Sequence, residues 1–217
     1  MSTAISTLYP RLAPRLPGCP EPSMLQAVLD TAIDFCAETR IYNTFIQFPS
    51  QVGVQTYTVP APADTDEEVH TIMNMWWKSR HLGPAADYLI DRPETLFSTS
   101  FSTQEQGDPR RWMRAQNGTF TVYPVPNAVV SDGFTIQYAM KPKLTATTIP
   151  DLLMDQWRDA IISGTLARLR SISGKQWSAP SDMDDQLYKL GRAKAKAVAR
   201  QGQNGAPMRV NTRGFGR

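Results

Sequence analysis

The sequence is short of the side chains on which most enzyme sites are built. Among its 217 residues it has two histidines, His70 and His81, and two cysteines, Cys19 and Cys36. Neither histidine has a cysteine near it in sequence, so the pattern does not indicate a zinc site or a nucleophile–base set. Two cysteines are too few for a disulfide scaffold, and Cys36 is expected to be a small buried hydrophobe.

Long apolar segments are also missing. No run reaches the roughly eighteen apolar residues of a membrane-spanning helix, and the N-terminus lacks a basic region followed by an apolar one. Neither a membrane span nor a signal peptide is therefore expected. The pattern favours a protein that is made and used in a cytosol-like setting.

The sequence lacks a phosphate-binding loop, because a single glycine precedes Lys175 in SISGK. Two acidic pairs, Asp155 with Asp159 and Asp182 with Asp185, have a spacing that could imitate the two carboxylates of a glycosidase. Both pairs fall on predicted helix surface without a pocket signature, so helix-start and surface charge is the preferred interpretation. A glycan hydrolase stays open as an alternative, and two carboxylates facing each other in a pocket would support it.

Acidic residues are absent beyond Asp185, which makes the charge distribution uneven. Residues 186–217 carry eight basic side chains, so of the chain's 23 basic and 20 acidic residues the remainder holds 15 and 20, a balance of −5. A basic C-terminal arm on an acidic body indicates a partner for the arm, either nucleic acid or an acidic protein surface. The eight basic residues are Lys189, Arg192, Lys194, Lys196, Arg200, Arg209, Arg213 and Arg217.

An amphipathic helix is predicted over residues 21–42, where apolar residues recur at three- and four-residue steps. Pro22 suits its first turn, where a missing N–H costs nothing, and Glu21 places a negative charge where the helix dipole favours one. One such helix cannot bury its own apolar side, so it needs partners from elsewhere in the chain.

The helical period returns after Pro150 and predicts two further helices, the second reaching to about Arg200. Gly164 inside the first of them predicts close packing between helices. The last helix has a thin apolar stripe that we expect to be buried. Its members are Leu187, Leu190, Ala193, Ala197 and Val198.

Between these helices the period changes to two, which predicts strands. The Asn117-Gly118 pair is a strong hairpin signal because both residues tolerate positive φ, so the middle of the chain should be an antiparallel sheet or a small sandwich. Alternation sends Trp76 and Trp77 to opposite faces, one into a core and one against a neighbouring chain or loop. A short helix is predicted over Leu89–Phe97. The predicted strands are 52–60, 69–80, 111–115, 119–123 and 133–141.

The predicted fold class is α+β, with a helical bundle formed by the N- and C-terminal segments, an inserted antiparallel β-domain and a flexible basic C-terminal arm. Four prolines in residues 1–20 predict an extended segment there. Its expected anchors are Leu8, Tyr9, Leu12 and Leu16. The predicted boundaries are 1–20 for the extended segment, 21–48 and 150–201 for the bundle, 49–149 for the β-domain and 202–217 for the arm.

Two features could serve a DNA-binding module, which is a second alternative function. Arg110, Arg111 and Arg114 are interleaved with Trp112, and arginine takes phosphate while an aromatic ring stacks on bases. A sheet face with exposed arginines explains the same pattern, and Trp112 is then an anchor of the β-domain or of a subunit interface, like Trp76 and Trp77. The basic arm is the other feature. It also carries apolar residues that a solubilising tail does not require: Met208, Val210 and Phe215.

Three parts of the chain stand out as a set: LPGCPEPSMLQAVLDTAIDFCAETR, GDPRRW with the later NGTFTVYPVP, and DLLMDQWRDAIISGTLARL. Together they resemble the adaptor proteins of tailed bacteriophages. Such adaptors are head-to-tail connector proteins, called tail tubular protein A in some short-tailed phages, and the similarity covers most of residues 17–170. The resemblance implies a structural virion protein, with no enzymatic activity and no cofactor. It implies a helical bundle bearing a β-domain, assembled as a ring, commonly of twelve copies, under the portal.

The same resemblance implies the partners. These are the portal protein, a tail nozzle or other tail proteins, and further copies of the chain, while DNA passes through the channel without sequence-specific binding and no membrane is involved. The protein would lie in the head–tail connector region of the virion, and in the host cytoplasm during assembly. The C-terminal arm of such proteins docks on portal subunits. The portal-interface residues proposed here are Met208, Arg209, Val210, Arg213, Phe215 and Arg217.

Overall fold

The chain divides into two compact units, of which one is built from sheets and the other from helices. The structure is a computed structural model that describes residues 2–60, 62, 64–84, 106–114 and 118–203. The sheet unit comprises residues 1–4 and 42–151, and the helical unit comprises residues 5–41 and 152–217. The fold is therefore α+β, with the sheet-forming segment inserted in sequence between two parts of the helical unit.

In the described part of the sheet unit, ten strands form two four-stranded sheets and one strand pair. The sheet orders are β2-β9-β4-β5 and β3-β8-β7-β6, and β1 pairs with β10. All pairings are antiparallel except the short β6–β7 pair. The strands are β1 (Ser2–Ala4), β2 (Asn43–Phe48), β3 (Thr56–Thr58), β4 (Glu67–Trp77), β5 (Arg80–His81), β6 (Gly83–Pro84), β7 (Arg111–Arg114), β8 (Thr119–Tyr123), β9 (Phe134–Pro142) and β10 (Thr148–Pro150).

The two four-stranded sheets share one core, which makes them a small sandwich. Phe134 of β9 lies at its centre, with ring centroids of Trp77 and Tyr57 at 4.9 and 5.0 Å. Phe120 of β8 stacks on Tyr57 at 5.5 Å. These aromatic rings come from both sheets and are nearly or fully buried, so the sandwich is held mainly by removal of apolar surface from water.

The predicted strands are largely confirmed, and one boundary is wrong. β7 and β8 pair as the expected hairpin, with Gly118 at φ +72°. Residues 43–48, assigned from sequence to the helical bundle, instead form β2 and pair along their whole length with β9. Phe45, Ile46 and Phe48 alternate between the two sides of the strand, and six residues are too few to reveal that period against a preceding helix. The helix predicted over Leu89–Phe97 lies outside the described residues.

Five helices are described in the chain. α2 begins as expected, with Pro22 in its first turn, and it ends at Arg40, which has a left-handed φ of 54°. The helix predicted after Pro150 is divided at Trp157, whose φ of −123° leaves the helical region. The helices are α1 (Tyr9–Leu12), α2 (Glu21–Thr39), α3 (Asp151–Gln156), α4 (Arg158–Arg170) and α5 (Asp182–Gln203).

The prediction of an extended segment over residues 1–20 is wrong. After β1 the chain forms a 3₁₀ turn at Ile5–Leu8, then α1, then a second 3₁₀ turn at Ala13–Arg15. Pro10 and Pro14 each lie in the first turn of one of these short helices, where a missing N–H has no bond to lose, so the prolines start turns instead of preventing them. The expected anchors Leu8, Leu12 and Leu16 are buried, and Tyr9 is half-buried.

The contacts among α2, α4 and α5 depend on two glycines. A Cβ atom added to Gly164 of α4 would lie 2.6 Å from Thr31 Cγ2 on α2 and 2.7 Å from Tyr188 Cδ2 on α5. A Cβ atom added to Gly191 of α5 would lie 2.5 Å from Ala160 Cβ on α4. The prediction that Gly164 permits close packing is confirmed, because these distances leave no room for even a methyl group.

A buried carboxyl group in the sheet unit makes the stability of the protein depend on pH. Glu67 of β4 is 6% exposed, and its Oε1 accepts a hydrogen bond of 2.7 Å from the Tyr42 hydroxyl. Burial raises the pKa of Glu67 above its ordinary value, and the Tyr42 hydrogen bond opposes part of that rise. The folded chain therefore binds this proton more tightly than the unfolded chain does, and the stability that the site contributes declines as pH rises from about 4.5.

We expect Gly164→Ala to destabilise the protein by about 1–2 kcal/mol. Overpacking a core costs about 1–3 kcal/mol, and the better helix propensity of alanine returns about 1 kcal/mol at most. Denaturant unfolding measures the difference, with Gly83→Ala as the control because a Cβ atom there meets no described residue within 4 Å. Equal stability of the two variants would show that α4 can move away from its neighbours at no cost.

We expect Glu67→Gln to gain stability relative to the wild type as pH is raised from about 4 to about 7, because glutamine keeps the acceptor for Tyr42 and has no charge to bury. Thermal unfolding across that pH range measures the difference. The matched control is Glu68→Gln, because the Glu68 side chain is 43% exposed and its carboxylate pairs with Lys141 at 3.2 Å. A pH dependence unaltered by Glu67→Gln would mean that Glu67 is as ionised in the folded chain as in the unfolded one.

Candidate interaction surfaces

The residues considered from sequence as catalytic groups lie on open surface or in strands. The acidic residues Asp155 and Asp159 are exposed, and His81 packs edge-on against Trp76 with ring centroids 5.6 Å apart. Within the described ranges, no group of three or more histidine, cysteine or acidic side chains could hold a metal ion. No helix there is long and apolar enough to span a membrane.

The three tryptophans predicted as anchors occupy two different environments. Trp77 and Trp112 are 2% and 6% exposed and belong to the sandwich core. The indole N–H of Trp77 donates to Asp108 Oδ1 at 3.1 Å, which satisfies the polar atom of an otherwise apolar ring. Trp76 points to the opposite side of the sheet, as the alternation predicts, and it is partly exposed.

Half-buried Trp76 and the exposed rings of Phe45 and His81 form a group that we call the aromatic face. Phe45 of the edge strand β2 is 58% exposed, and its ring centroid lies 6.0 Å from that of Trp76. Next to these rings a row of amides crosses the sheet: Asn74 donates to Gln137 at 2.8 Å, and Gln137 donates to Asn43 at 3.1 Å. The amide row holds this side of the sheet in one arrangement, so the rings lie on a fixed support.

The strand considered for nucleic-acid binding does not present the required pair of side chains. Arg111 and Arg114, at the two ends of β7, are exposed, whereas Trp112 is buried in the sandwich core. A buried indole cannot stack on a base. The alternative interpretation, a sheet face with exposed arginines, is the one that fits the structure.

The prediction about the buried side of α5 is wrong. Leu187, Leu190 and Val198, expected in the core, are each about half exposed, and Ala193 and Ala197 are also exposed. The buried positions are instead Tyr188, Ala195 and Ala199, on the other side of the helix. Near Gly191, where α4 approaches α5 closely, the buried positions Ala195 and Ala199 are small, and Tyr188 is buried beside Gly164.

Part of the basic C-terminal sequence is used inside the helical unit. Lys196 of α5 binds Glu38 of α2 at 2.8 Å, and this bond lowers the pKa of Glu38. Arg192 lies over the ring of Tyr188 at 5.1 Å, and Lys189 pairs with Asp185 one turn earlier at 2.5 Å. The proposed portal-interface residues Met208, Arg209, Val210, Arg213, Phe215 and Arg217 lie outside the described residues.

Leu187, Leu190 and Val198 belong to a row of exposed apolar side chains that we call the outer stripe, completed by Met183. These four side chains are between 46% and 68% exposed. Met183, Leu187 and Leu190 follow at steps of four and three residues, and Val198 lies eight residues further along the same side of α5. Exposed apolar groups that form a row, and are not scattered singly, are typical of contact sites between proteins. The hydrophobic spacing was visible in the sequence, but which side of the helix faces the core was not.

A family model described as SU10 adaptor protein matches residues 3–212. The chain therefore belongs to the SU10 adaptor protein family, and it is a phage adaptor protein. No curated protein matches the chain.

Proposed function

We propose that the protein is a subunit of an adaptor ring that joins the phage portal to the tail and leaves a central passage for DNA. Membership of the adaptor family over nearly the whole chain is the observation that carries this proposal. The resemblance to tail tubular protein A supports a ring of twelve copies that takes part in genome ejection. In this arrangement α2, α4 and α5 act as a helical bundle.

The exposed surfaces fit such a role because a ring subunit needs contacts with its neighbours as well as with the portal and tail. The outer stripe and the aromatic face each combine exposed apolar groups with rigid support from the fold behind them. Rigid aromatic and aliphatic anchors are the groups that contribute most to protein interfaces. We assign Trp76 with Phe45 to a contact between subunits or with a tail protein.

We propose that DNA passes the ring without sequence-specific binding. The only tryptophan on the arginine-bearing strand β7 is turned into the core. Residues 1–185 have a charge balance of −5, which repels phosphate instead of attracting it. A channel that does not hold DNA is what passage of a genome requires.

We assign portal docking to residues 204–217. This sequence, NGAPMRVNTRGFGR, has three arginines that can form bidentate pairs with carboxylates, and Phe215 can fill an apolar pocket. Its many glycines and asparagines cannot bury enough apolar surface for a fold of their own, so docking in a groove of the portal would supply the missing contacts. Around a ring, contacts that are weak singly add up through avidity.

Deletion of residues 204–217 should leave the unfolding temperature unchanged and abolish capture by purified portal rings, since the arm contributes to docking and not to the core. Particle imaging of the mixture provides the measurement. A second variant, Phe215→Ala with Arg213→Ala, should weaken capture without shortening the chain, and Ile172→Ala is the control for loss of an exposed apolar residue elsewhere. Docking of the shortened chain with unchanged affinity would show that the arm is a solubilising tail.

We expect the purified protein to be non-enzymatic toward glycans. Glycosidase chemistry needs two carboxyl groups facing each other in a pocket, whereas Asp155 and Asp159 are exposed on the helical unit. Release of reducing sugar from host surface glycans measures the activity. Turnover that disappears when one of these carboxylates is changed to its amide would favour the hydrolase alternative.

A further inference from the structure

The chain passes between its two units at three places, which lie after residues 4, 41 and 151. On the sheet side, the segments at these places are β1, Tyr42 and β10. A short turn at residues 64–67, just before β4 and including its first residue, forms side-chain hydrogen bonds with all three segments. We call it the acidic turn, because three of its four residues are acidic: Asp64, Asp66 and Glu67.

Within the acidic turn, Asp66 binds the start of β10. Its Oδ2 atom accepts hydrogen bonds from the backbone N–H groups of Thr147 and Thr148 at 3.0 and 3.1 Å, and from their hydroxyl groups at 3.2 and 2.8 Å. Its backbone carbonyl accepts another bond from the Lys143 N–H at 2.8 Å. Hydrogen bonds to an ionised acceptor are roughly twice as strong as bonds between neutral groups. The charge on Asp66 is therefore the main attachment of these two threonines to the turn.

Asp64 connects the same turn to β1. Its Oδ1 atom accepts a hydrogen bond from the Asp66 N–H at 3.0 Å, and its Oδ2 atom accepts one from the Ser2 hydroxyl at 2.9 Å. Among the described strands, β1 pairs with β10 alone, over three residue pairs. Release of β10 would therefore remove the ladder of β1 as well.

The pair of β1 and β10 is separate from the sandwich core. Neither strand contributes a residue to that core, and none of the three residues of β1 is buried. Ile149 of β10 is fully buried, so release of the pair has a cost, but the ring contacts around Phe134 do not involve it. Local opening of a short strand pair needs less free energy than unfolding of a core.

We propose that the acidic turn is an acid-sensitive latch: ionised Asp66 holds β1 and β10 in place, and its protonation lets the two strands open together while the sandwich stays folded. The released residues then join the connections to the helical unit, which become longer. The inference goes beyond the proposed function and does not depend on a ring or on portal docking.

The direction of the pH effect follows from the bonds of Asp66. The hydrogen bonds from Thr148 and Thr147 lower the pKa of Asp66 below its ordinary value of about 3.8. The closed latch therefore binds this proton less tightly than the open one does. The stability that Asp66 gives to the closed state is fully present above its ordinary pKa and is lost as pH falls through the lowered pKa.

Other charged groups lie near the latch. Asp64 is on the same turn, and Lys143 Nζ donates to the Thr65 carbonyl at 2.6 Å. Glu67, with its raised pKa, has the opposite pH dependence. Because all these groups are present in the wild type and in a variant at Asp66, the difference between the two chains isolates the effect of Asp66.

The test measures amide hydrogen exchange of the full chain near neutral pH. Asp66→Asn should raise the exchange rates of β1 and β10 by about tenfold or more, because the charge that serves four donors is lost. The rates of β4 and β9 should stay as in the wild type. Thr148→Val, which removes one hydroxyl donor, should give a smaller increase in the same two strands. Asp132→Asn is the matched control, because Asp132 is an exposed aspartate of the same unit, and it should change neither pair.

Acid provides a second readout. Protection of β1 and β10, measured relative to an unstructured peptide at the same pH, should be greater in the wild type than in the Asp66→Asn chain near neutral pH. The difference between the two chains should shrink as pH falls below about 3.8, because the wild type then loses the same charge. Circular dichroism verifies that each variant keeps the secondary structure of the wild type.

Four outcomes would overturn the proposal. Equal protection of β1 and β10 in the wild type and in Asp66→Asn would show that Asp66 does not hold them. An increase in exchange that reaches β4 and β9 to the same extent would show that the strand pair does not open separately from the sandwich. An equal effect of Asp132→Asn, or a difference between wild type and Asp66→Asn that stays constant into acid, would exclude the charge of Asp66 as the latch.

Discussion

The close approach of α4 to its two neighbours at Gly164 and Gly191 is the constraint on which the rest of the helical unit depends. A glycine on one helix faces a side chain on the next at both points: Gly164 faces Thr31 and Tyr188, and Gly191 faces Ala160. Gly164 leaves space for the buried ring of Tyr188, so the side of α5 that carries Tyr188 is the side that turns inward. Leu187, Leu190 and Val198 are then left on the exposed side and form the outer stripe.

Much of the fold could be predicted where one pattern excluded the others. α2 has a single apolar side and clear start signals. The hairpin of β7 and β8 was predictable because the Asn117-Gly118 pair favours a tight turn. α5 was misread because it has two apolar sides, one of small residues and one of large ones. Periodicity detects both sides but does not tell which one is buried, because that depends on how closely a helix distant in sequence approaches α5. The N-terminal segment was misread because proline excludes a helix interior but favours a first turn.

The candidate surfaces were predictable to a smaller extent, for a related reason. Alternation placed Trp76 and Trp77 on opposite faces, but the identity of the inner one depends on the second sheet, whose strands are distant in sequence. The same lack of information made Trp112 a candidate for base stacking until its burial was known. Charge was more informative. The acidic residues of α2 and the basic residues of α5 are visible in the sequence, and in the structure one residue from each helix, Glu38 and Lys196, forms an ion pair.

The pairing of β1 with β10 determines which residues must be included if the sheet unit is produced as a separate protein. A fragment of residues 42–151 would lose β1, and with it the ladder partner of Thr148–Pro150 and the Ser2 hydroxyl bonded to Asp64 at 2.9 Å. Ser2 lies opposite Pro150, so the end of β10 is next to the start of β1. A circular permutant in which a short hairpin loop leads from residue 151 into residues 2–4 would keep every strand of the unit in one continuous polypeptide.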